Sequence, residues 1–190
     1  MHRILMLCLL LPAWSFAYVK LPSEYVGITV YQSTIDDVSK RLGESKLQNL
    51  PYGHHENGYC YVSKSGIYAV FSSGIMGGEG IITRMSIHSD KPDLECSKSK
   101  LELPACIGDY CLGLSKQKYD RILDYTLELT NDGSNSYVRS LWLTRDLTVK
   151  ERLKLNLPDK MIKADITNNI WFKFSVEKAI EIGVIKFETY

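Results

Sequence analysis

The sequence predicts an α+β protein made of two repeats, each a short helical layer packed on an antiparallel β-meander. Residues 27–43 and 108–123 can be aligned with Ser115 over Thr34. Each segment has a capping residue followed by an amphipathic helix of about two turns. Alternating apolar and polar residues, the pattern of half-buried strands, follow each helix. The same order of elements, occurring twice, indicates a duplicated unit.

The first seventeen residues have the features of a secretory signal peptide. Arg3 precedes an apolar run at residues 4–14, which is too short to span a bilayer. Ser15 and Ala17 are small residues at the two positions that a signal peptidase reads. We therefore expect cleavage near Ala17 and a mature protein in the periplasm or outside the cell.

The charge of the mature chain argues against two classes of partner. Removing residues 1–17 takes away one of the 23 basic residues and none of the 22 acidic ones, which leaves no net charge when histidine is neutral. Such a chain lacks the overall field that drives binding to nucleic acid or to an anionic membrane. Later stretches are too polar to cross a membrane, and Cys8 lies too early for a lipid-anchored cysteine. We predict no nucleic-acid partner, no membrane span and no lipid anchor.

Residues 18–104 are expected to form the first repeat. Thr34, with Asp37 three positions later, is a capping box, and Gly43 is a natural C-terminal stop. A helix is therefore predicted at residues 35–42. Its strands are predicted at residues 59–63, 67–72 and 81–88.

Residues 105–190 are expected to form the second repeat, with a helix capped by Ser115. Asn168 and Asn169 divide two apolar stretches and are predicted to form a hairpin turn. A last strand is predicted at residues 182–190.

The second repeat also contains an insertion, at about residues 125–158, that the first lacks. It holds a predicted hairpin and a short helix, which Thr148 and Glu151 open as a capping box. The insertion departs from equal repeats and leaves the order of the strands around it open.

Four cysteines follow the signal peptide, and an even number in an exported chain predicts two disulfides. They are Cys60, Cys96, Cys106 and Cys111. We favour Cys60–Cys96 with Cys106–Cys111, because the second pair is local and would close one loop. The pairing Cys60–Cys111 with Cys96–Cys106 stays open.

A small set of residues marks both copies of the helical segment. They are Gly27, Val38, Leu42 and Gly43 in the first copy, and Leu112, Gly113, Leu114, Ser115, Tyr119 and Leu123 in the second. This pattern resembles the tandem-repeat fold of the β-lactamase inhibitor protein. It also resembles the single-unit small lipoprotein of the outer-membrane barrel-assembly machinery. The resemblance implies a helical layer on a curved antiparallel sheet, and a function in binding another protein.

The chemistry-bearing residues point away from catalysis. His54 and His55 are adjacent, so in an extended segment their side chains point in opposite directions, and they lack the spacing of a helical zinc motif. We predict no catalytic residue, no metal site and no cofactor. One alternative is an exported metal-dependent or thiol enzyme that uses His54, His55 and Cys60. A structural envelope protein is another.

Aromatic side chains are the predicted partner-binding residues. If Ile67 and Ile170 and their alternate neighbours face the core, Tyr68 and Trp171 occupy matching outward positions. If Cys60 also faces the core, Tyr59 and Tyr61 join them on the outer face. Exposed Tyr and Trp are common anchors of protein interfaces. The alternative is that these rings cover each other or fill the seam between the repeats. The favoured function is an exported, non-catalytic protein-binding module, of the inhibitor or envelope-assembly class.

Overall fold

The structure is a computed structural model that describes residues 21–51, 56–74, 80–123, 127–129 and 136–190. The predicted signal peptide, His54 and His55 lie outside these residues. The helices within them are α1 (Ile35–Leu42), α2 (Lys116–Leu123) and α3 (Val149–Lys154). The strands are β1 (Glu24–Tyr25), β2 (Ile28–Thr29), β3 (Gln48–Asn49), β4 (Asn57–Val62), β5 (Tyr68–Ser73), β6 (Ile82–His88), β7 (Cys96–Lys98), β8 (Cys106–Ile107), β9 (Tyr110–Cys111), β10 (Glu128–Leu129), β11 (Ser136–Asp146), β12 (Lys163–Ser175) and β13 (Lys178–Thr189).

One large sheet dominates the fold. Its strand order is β10-β11-β12-β13-β6-β5-β4-β3, and β7 adds to it by pairing in parallel with β4. The other neighbours are antiparallel, and β13 joins β6 between Glu181↔His88 and Ile185↔Arg84. The sheet is therefore continuous through both predicted repeats.

The predicted α+β class, with a helical layer on each meander, is wrong. Strands account for 47% of the structure and helices for 15%. Because α1 and α2 have eight residues each, they are about 12 Å long, which is too short to form a layer over such a sheet. Each of them buries two side chains: Val38 and Leu42 on α1, and Tyr119 and Leu123 on α2.

The order of elements is similar in the two halves of the chain. A two-stranded hairpin and a helix precede four sheet strands in each half: β1–β2, α1 and β3 to β6, then β8–β9, α2 and β10 to β13. The two four-strand groups meet at β6 and β13. Whether a duplication produced this order stays a prediction.

The main core lies between one face of the sheet, here called the core face, and the two helices with their hairpins. The core face is defined by one row of cross-strand neighbours, Tyr61, Ala69, Ile87, Ile182 and Phe172. The opposite face, here called the outer face, is defined by the row Cys60, Val70, Ser86, Gly183 and Trp171. At the centre of the core the rings of Tyr119 and Phe172 lie 4.3 Å apart between centroids.

Tyr59 and Tyr61 lie on the core face, so their predicted place on the outer face is wrong. Tyr61 pairs with Ala69 and Tyr59 with Phe71, both of which are core residues. Tyr61 is fully buried, and its hydroxyl donates to the Gly43 carbonyl at 2.7 Å. The prediction failed because it placed the apolar Cys60 in the main core.

Cys60 is buried instead in a second, smaller cluster on the outer face. Its disulfide to Cys96 ties β4 to β7, and Leu50 and Val70 pack against it. The second disulfide, Cys106–Cys111, closes the β8–β9 hairpin. Two disulfides are therefore present, in the pairing that the sequence analysis favoured.

Candidate interaction surface

Trp171, a predicted partner anchor, is held flat on the outer face. A Cβ atom placed on Gly183 would lie 2.0 Å from the Trp171 ring, so the ring occupies the space that a side chain would fill. The indole Nε1 donates to Glu181 Oε1 at 2.8 Å, and the Arg84 guanidinium lies 5.5 Å from the ring centroid. Tyr68, the other predicted outer anchor, is half-buried against the cluster around Cys60. Both residues lie on the predicted face, but they pack against the sheet.

A polar network fills the centre of the outer face beside Trp171. Ser86 Oγ lies 2.8 Å from His88 Nε2, and His88 Nδ1 lies 3.5 Å from Glu181 Oε2. Burial lowers the pKa of His88, and the nearby Glu181 carboxylate acts in the opposite direction. This Ser–His–Glu order is the one that acyl-transfer enzymes use. A nucleophile must be reached by its substrate, however, and Ser86 is only 2% exposed. This burial favours a structural role for the network.

Neither candidate enzyme site can be built from the described residues. The cysteine proposed as a thiol nucleophile, Cys60, is fully buried and bonded to Cys96, so it holds no thiolate while that bond is intact. His54 and His55 lie outside the described part of the chain. Within that part, no group of three His, Cys, Asp or Glu side chains is placed to hold a metal ion.

The outer end of the β11–β12 hairpin, here called the arm (residues 140–167), carries a group of exposed large apolar side chains. Nine large apolar side chains are exposed among the described residues, and five of them belong to the arm. Those five are Trp142, Val149, Leu153, Leu155 and Ile162. Trp142 is 74% exposed and Leu153 75%. Such clustering on a chain of this size is typical of an interaction site.

Polar contacts help to hold the arm in shape. Thr148 and Glu151 form the predicted capping box of α3, with Thr148 N donating to Glu151 Oε2 at 2.8 Å. Arg145 reaches Glu151 at 2.8 Å and Glu188 of β13 at 2.5 Å. Thr148 chiefly, with help from Arg145, lowers the pKa of Glu151, so that carboxylate is ionised at neutral pH. Because these contacts fix α3, its exposed apolar side chains are held in defined positions.

Part of the β11 edge has no partner strand among the described residues. β12 pairs with β11 at every position from Ser136 to Asp146. On the other edge β10 pairs only with Tyr137 and Val138. The N–H and C=O groups that point outward between residues 140 and 146 therefore have no described strand to bond to. An open edge of this kind is a template for a further strand.

The sequence analysis missed Trp142 because it looked for anchors only where the two repeats match. The signal was present inside the insertion. Leu141, Trp142 and Leu143 are consecutive apolar residues on a predicted strand, so one of them must face away from the core. Val149 and Leu153 also form an apolar pair on a helix for which the first repeat has no counterpart.

No helix in the described ranges is long and apolar enough to span a membrane. Comparisons of the chain with protein-family models, with curated proteins and with solved structures gave no match. The candidate surface therefore has to be interpreted from its own geometry.

Proposed function

We propose that this protein is an exported, non-catalytic binding module that holds another protein by strand addition. An extended segment of the partner pairs with the β11 edge at residues 140–146, and Trp142 packs on that segment. The observation that carries the proposal is the coincidence of a strand edge that has no partner among the described residues with a large exposed indole. Strand addition derives its affinity from main-chain hydrogen bonds and its specificity from alternate side chains.

The side chains around this edge suit an incoming strand. Trp142 pairs with Thr167 on the outer face, while the half-buried Leu141 and Leu143 lie on the other face. An added strand would therefore meet apolar contacts on both of its faces. Trp is enriched among residues that dominate binding energy, because its large ring buries much area at low entropic cost.

Charged side chains do little to prevent another strand from pairing with this edge. Charged residues on edge strands normally discourage pairing with other chains. The stretch from 140 to 146 contains one cationic residue, Arg145, and both Glu151 and Glu188 neutralise it. A partner strand can therefore be added here without the cost of burying an unpaired guanidinium.

Two further features support an exported binding protein. Disulfides persist in oxidising compartments and are rare in the cytosol, which agrees with the leader predicted at residues 1–17. The two families that the helical segments resemble also act by binding other proteins. We propose the periplasm or the cell exterior as the place of action.

Site-specific photo-cross-linking tests the proposal directly. A photoreactive phenylalanine replaces Trp142, and in a matched control it replaces Val176, which is 92% exposed at the other end of β12. We expect the probe at position 142 to form an adduct that maps to one extended segment of one envelope protein. The control should form no such adduct.

A substitution measures the strength of the contact. Trp142→Ala should weaken binding of the identified partner by about thirtyfold, equivalent to about 2 kcal/mol. Because Trp142 is exposed, the melting temperature should stay within a few degrees of the wild-type value. Unchanged affinity of the Trp142→Ala variant would contradict strand addition at β11.

A further inference from the structure

We infer that the end of the arm, here called the arm tip (residues 146–163), docks on a membrane surface that carries anionic phospholipids. This inference concerns a surface different from the β11 edge and does not depend on strand addition.

Apolar side chains form the first part of the argument. Val149 and Leu153 are four residues apart on α3, so their side chains lie next to each other, and they are 62% and 75% exposed. Leu155 and Ile162, which belong to the same arm tip, are also exposed. α3 buries none of its residues in the protein. Exposed apolar side chains on a helix whose position is fixed indicate a site that binds another molecule or a membrane.

The net charge of the arm tip indicates that its binding partner is anionic. The tip contains five basic residues, Lys150, Arg152, Lys154, Lys160 and Lys163, and three acidic ones, Asp146, Glu151 and Asp159. Its net charge is therefore +2, in a chain that is neutral after the predicted leader. Glu151 is engaged by Arg145, and Asp159 lies 3.8 Å from Arg152. None of the described ion pairs at the tip involves the four lysines, all of which are exposed.

The mixture of lysine with apolar residues favours lipid over a protein surface. Lysine is depleted from the cores of protein interfaces, because its charge is costly to desolvate. At a membrane its apolar stem follows the acyl boundary while the ammonium group reaches the phosphates. Leucine and valine among exposed lysines are the composition of segments that lie in this boundary.

The reach of the arm fits docking by its end. β13 pairs with β6 as far as Ile185, which also pairs with Asn169 of β12. Lys163 lies six residues before Asn169, a distance of about 20 Å along an extended strand. The tip can therefore touch a membrane while the central part of the sheet stays clear of it.

Vesicle co-sedimentation of the purified, disulfide-bonded protein tests the inference. One set of vesicles contains equal parts of phosphatidylglycerol and phosphatidylcholine, and the other contains phosphatidylcholine alone. We expect binding to the anionic vesicles that is at least tenfold tighter than to the neutral ones. This difference should shrink when the salt concentration rises from about 50 to about 300 mM, because salt screens the attraction between the lysines and the lipid phosphates. No binding, or equal binding to both sets, would overturn the inference.

Three variants locate the contact. Leu153→Asp should weaken binding to the anionic vesicles at least tenfold. Lys150→Gln and Lys154→Gln should each weaken it about fivefold. Val176→Asp, which removes an exposed apolar side chain at the other end of β12, is the control and should bind as the wild type does. Because all four positions are exposed, far-UV circular dichroism should show that each variant folds.

The remaining outcomes separate lipid from protein. If Leu153→Asp binds anionic vesicles as well as the wild type, the tip is not the contact and the inference fails. If a photoreactive residue at position 153 captures a protein while the vesicles do not bind, a protein covers the tip, and the inference also fails. Binding of the partner at Trp142 is read out separately, so the two proposals can fail independently.

Discussion

The two halves of β12 show how one alternating pattern can serve two different purposes. In the C-terminal half, Ile170 and Phe172 are fully buried on the core face, where Phe172 packs against Tyr119 of α2. In the N-terminal half the same face still buries the small Ala164, but Ile166 is only half-buried there, and the neighbouring β11 buries no residue. Alternation decides which face of the sheet a side chain occupies. Whether that face is shielded from water depends on the helices and hairpins that pack on it. The candidate binding surface begins where the sheet extends past α2 and its hairpin.

The largest contrast should appear when one ring is removed from each half of the hairpin. Phe172→Ala leaves a cavity under Tyr119 and should lower the free energy of unfolding by about 3–5 kcal/mol. Trp142→Ala, the matched change in the arm, should alter it by no more than about 0.5 kcal/mol, because Trp142 is exposed. Urea unfolding at neutral pH measures both values. A loss of several kcal/mol for Trp142→Ala would show that the arm is packed and would contradict its role as a free surface.

The two disulfides should differ in their contribution, because they close loops of different length. Cys60–Cys96 spans 36 residues, for which the loss of chain entropy predicts about 4 kcal/mol of stabilisation. Cys106–Cys111 spans 5 residues, which predicts about 2 kcal/mol. Paired Cys→Ser variants, compared by thermal and urea unfolding, test this order. A larger loss from the Cys106/Cys111 pair would mean that the β8–β9 hairpin stabilises the core in another way.

Local signals in the sequence predicted the ends of the helices well. α1 has the predicted bounds, Ile35–Leu42, because the Thr34–Asp37 capping box and Gly43 act within a few residues of each end. The capping box at Thr148 and Glu151 was found for the same reason. The favoured cysteine pairing also rested on a local feature, the short loop between Cys106 and Cys111.

Long-range pairing could not be predicted in this way. Asn168 and Asn169 were predicted to form a turn, yet β12 continues through them because each pairs with β11 on one side and β13 on the other. The actual turn is at Val176 and Glu177, both of which have positive φ. The union of the two predicted repeats into one sheet depends on β13 meeting β6, residues that are far apart in sequence. No local pattern encodes such a contact.

The same limit explains the candidate surface. The face of β4 was assigned from the apolar character of Cys60, but that side chain is buried by β7 and Leu50 on the outer face. The exposure of Trp142 depends on which elements cover β11, and that is a property of the whole fold. The chemistry of the arm tip could be read from its sequence, but its exposure could not.

The close contact between Gly183 and the Trp171 ring predicts a smaller change in the free energy of unfolding. Gly183→Ala places a methyl group where the Trp171 ring lies, so it should lower the free energy of unfolding by about 1–3 kcal/mol. The double variant Gly183→Ala/Trp171→Leu removes the collision, so the effects of the two changes should not add. Urea unfolding of the two single variants and the double variant measures the coupling. Additive effects would show that the ring moves aside freely and that Trp171 can still act as an anchor.

Acid should destabilise the centre of the outer face through His88. Burial lowers the pKa of His88 below 6.5, although Glu181 opposes that shift. The unfolded chain therefore binds a proton at higher pH than the folded protein does. The contribution of His88 is complete above pH 6.5 and is lost as the pH falls through the lower pKa of the folded state.

The expected slope is at most about 1.4 kcal/mol per pH unit below pH 6.5. The groups facing His88 include Ser86, Glu181, Lys173 and Asp90, so His88→Gln is the variant to compare. Unfolding free energies measured between pH 7.5 and 5 should fall less steeply for His88→Gln than for the wild type. Equal slopes would mean that other groups cause the acid sensitivity.

Backbone hydrogen exchange tests strand addition at β11 most directly. It would be measured for the free protein and for its complex with the partner that cross-links at position 142. The alternate amides of residues 140–146 that do not bond to β12 should exchange rapidly in the free protein and at least tenfold more slowly in the complex. If those amides exchange at the same rate in both, while amides around Tyr68 and Trp171 become protected, the partner binds the outer face and the proposed function is wrong.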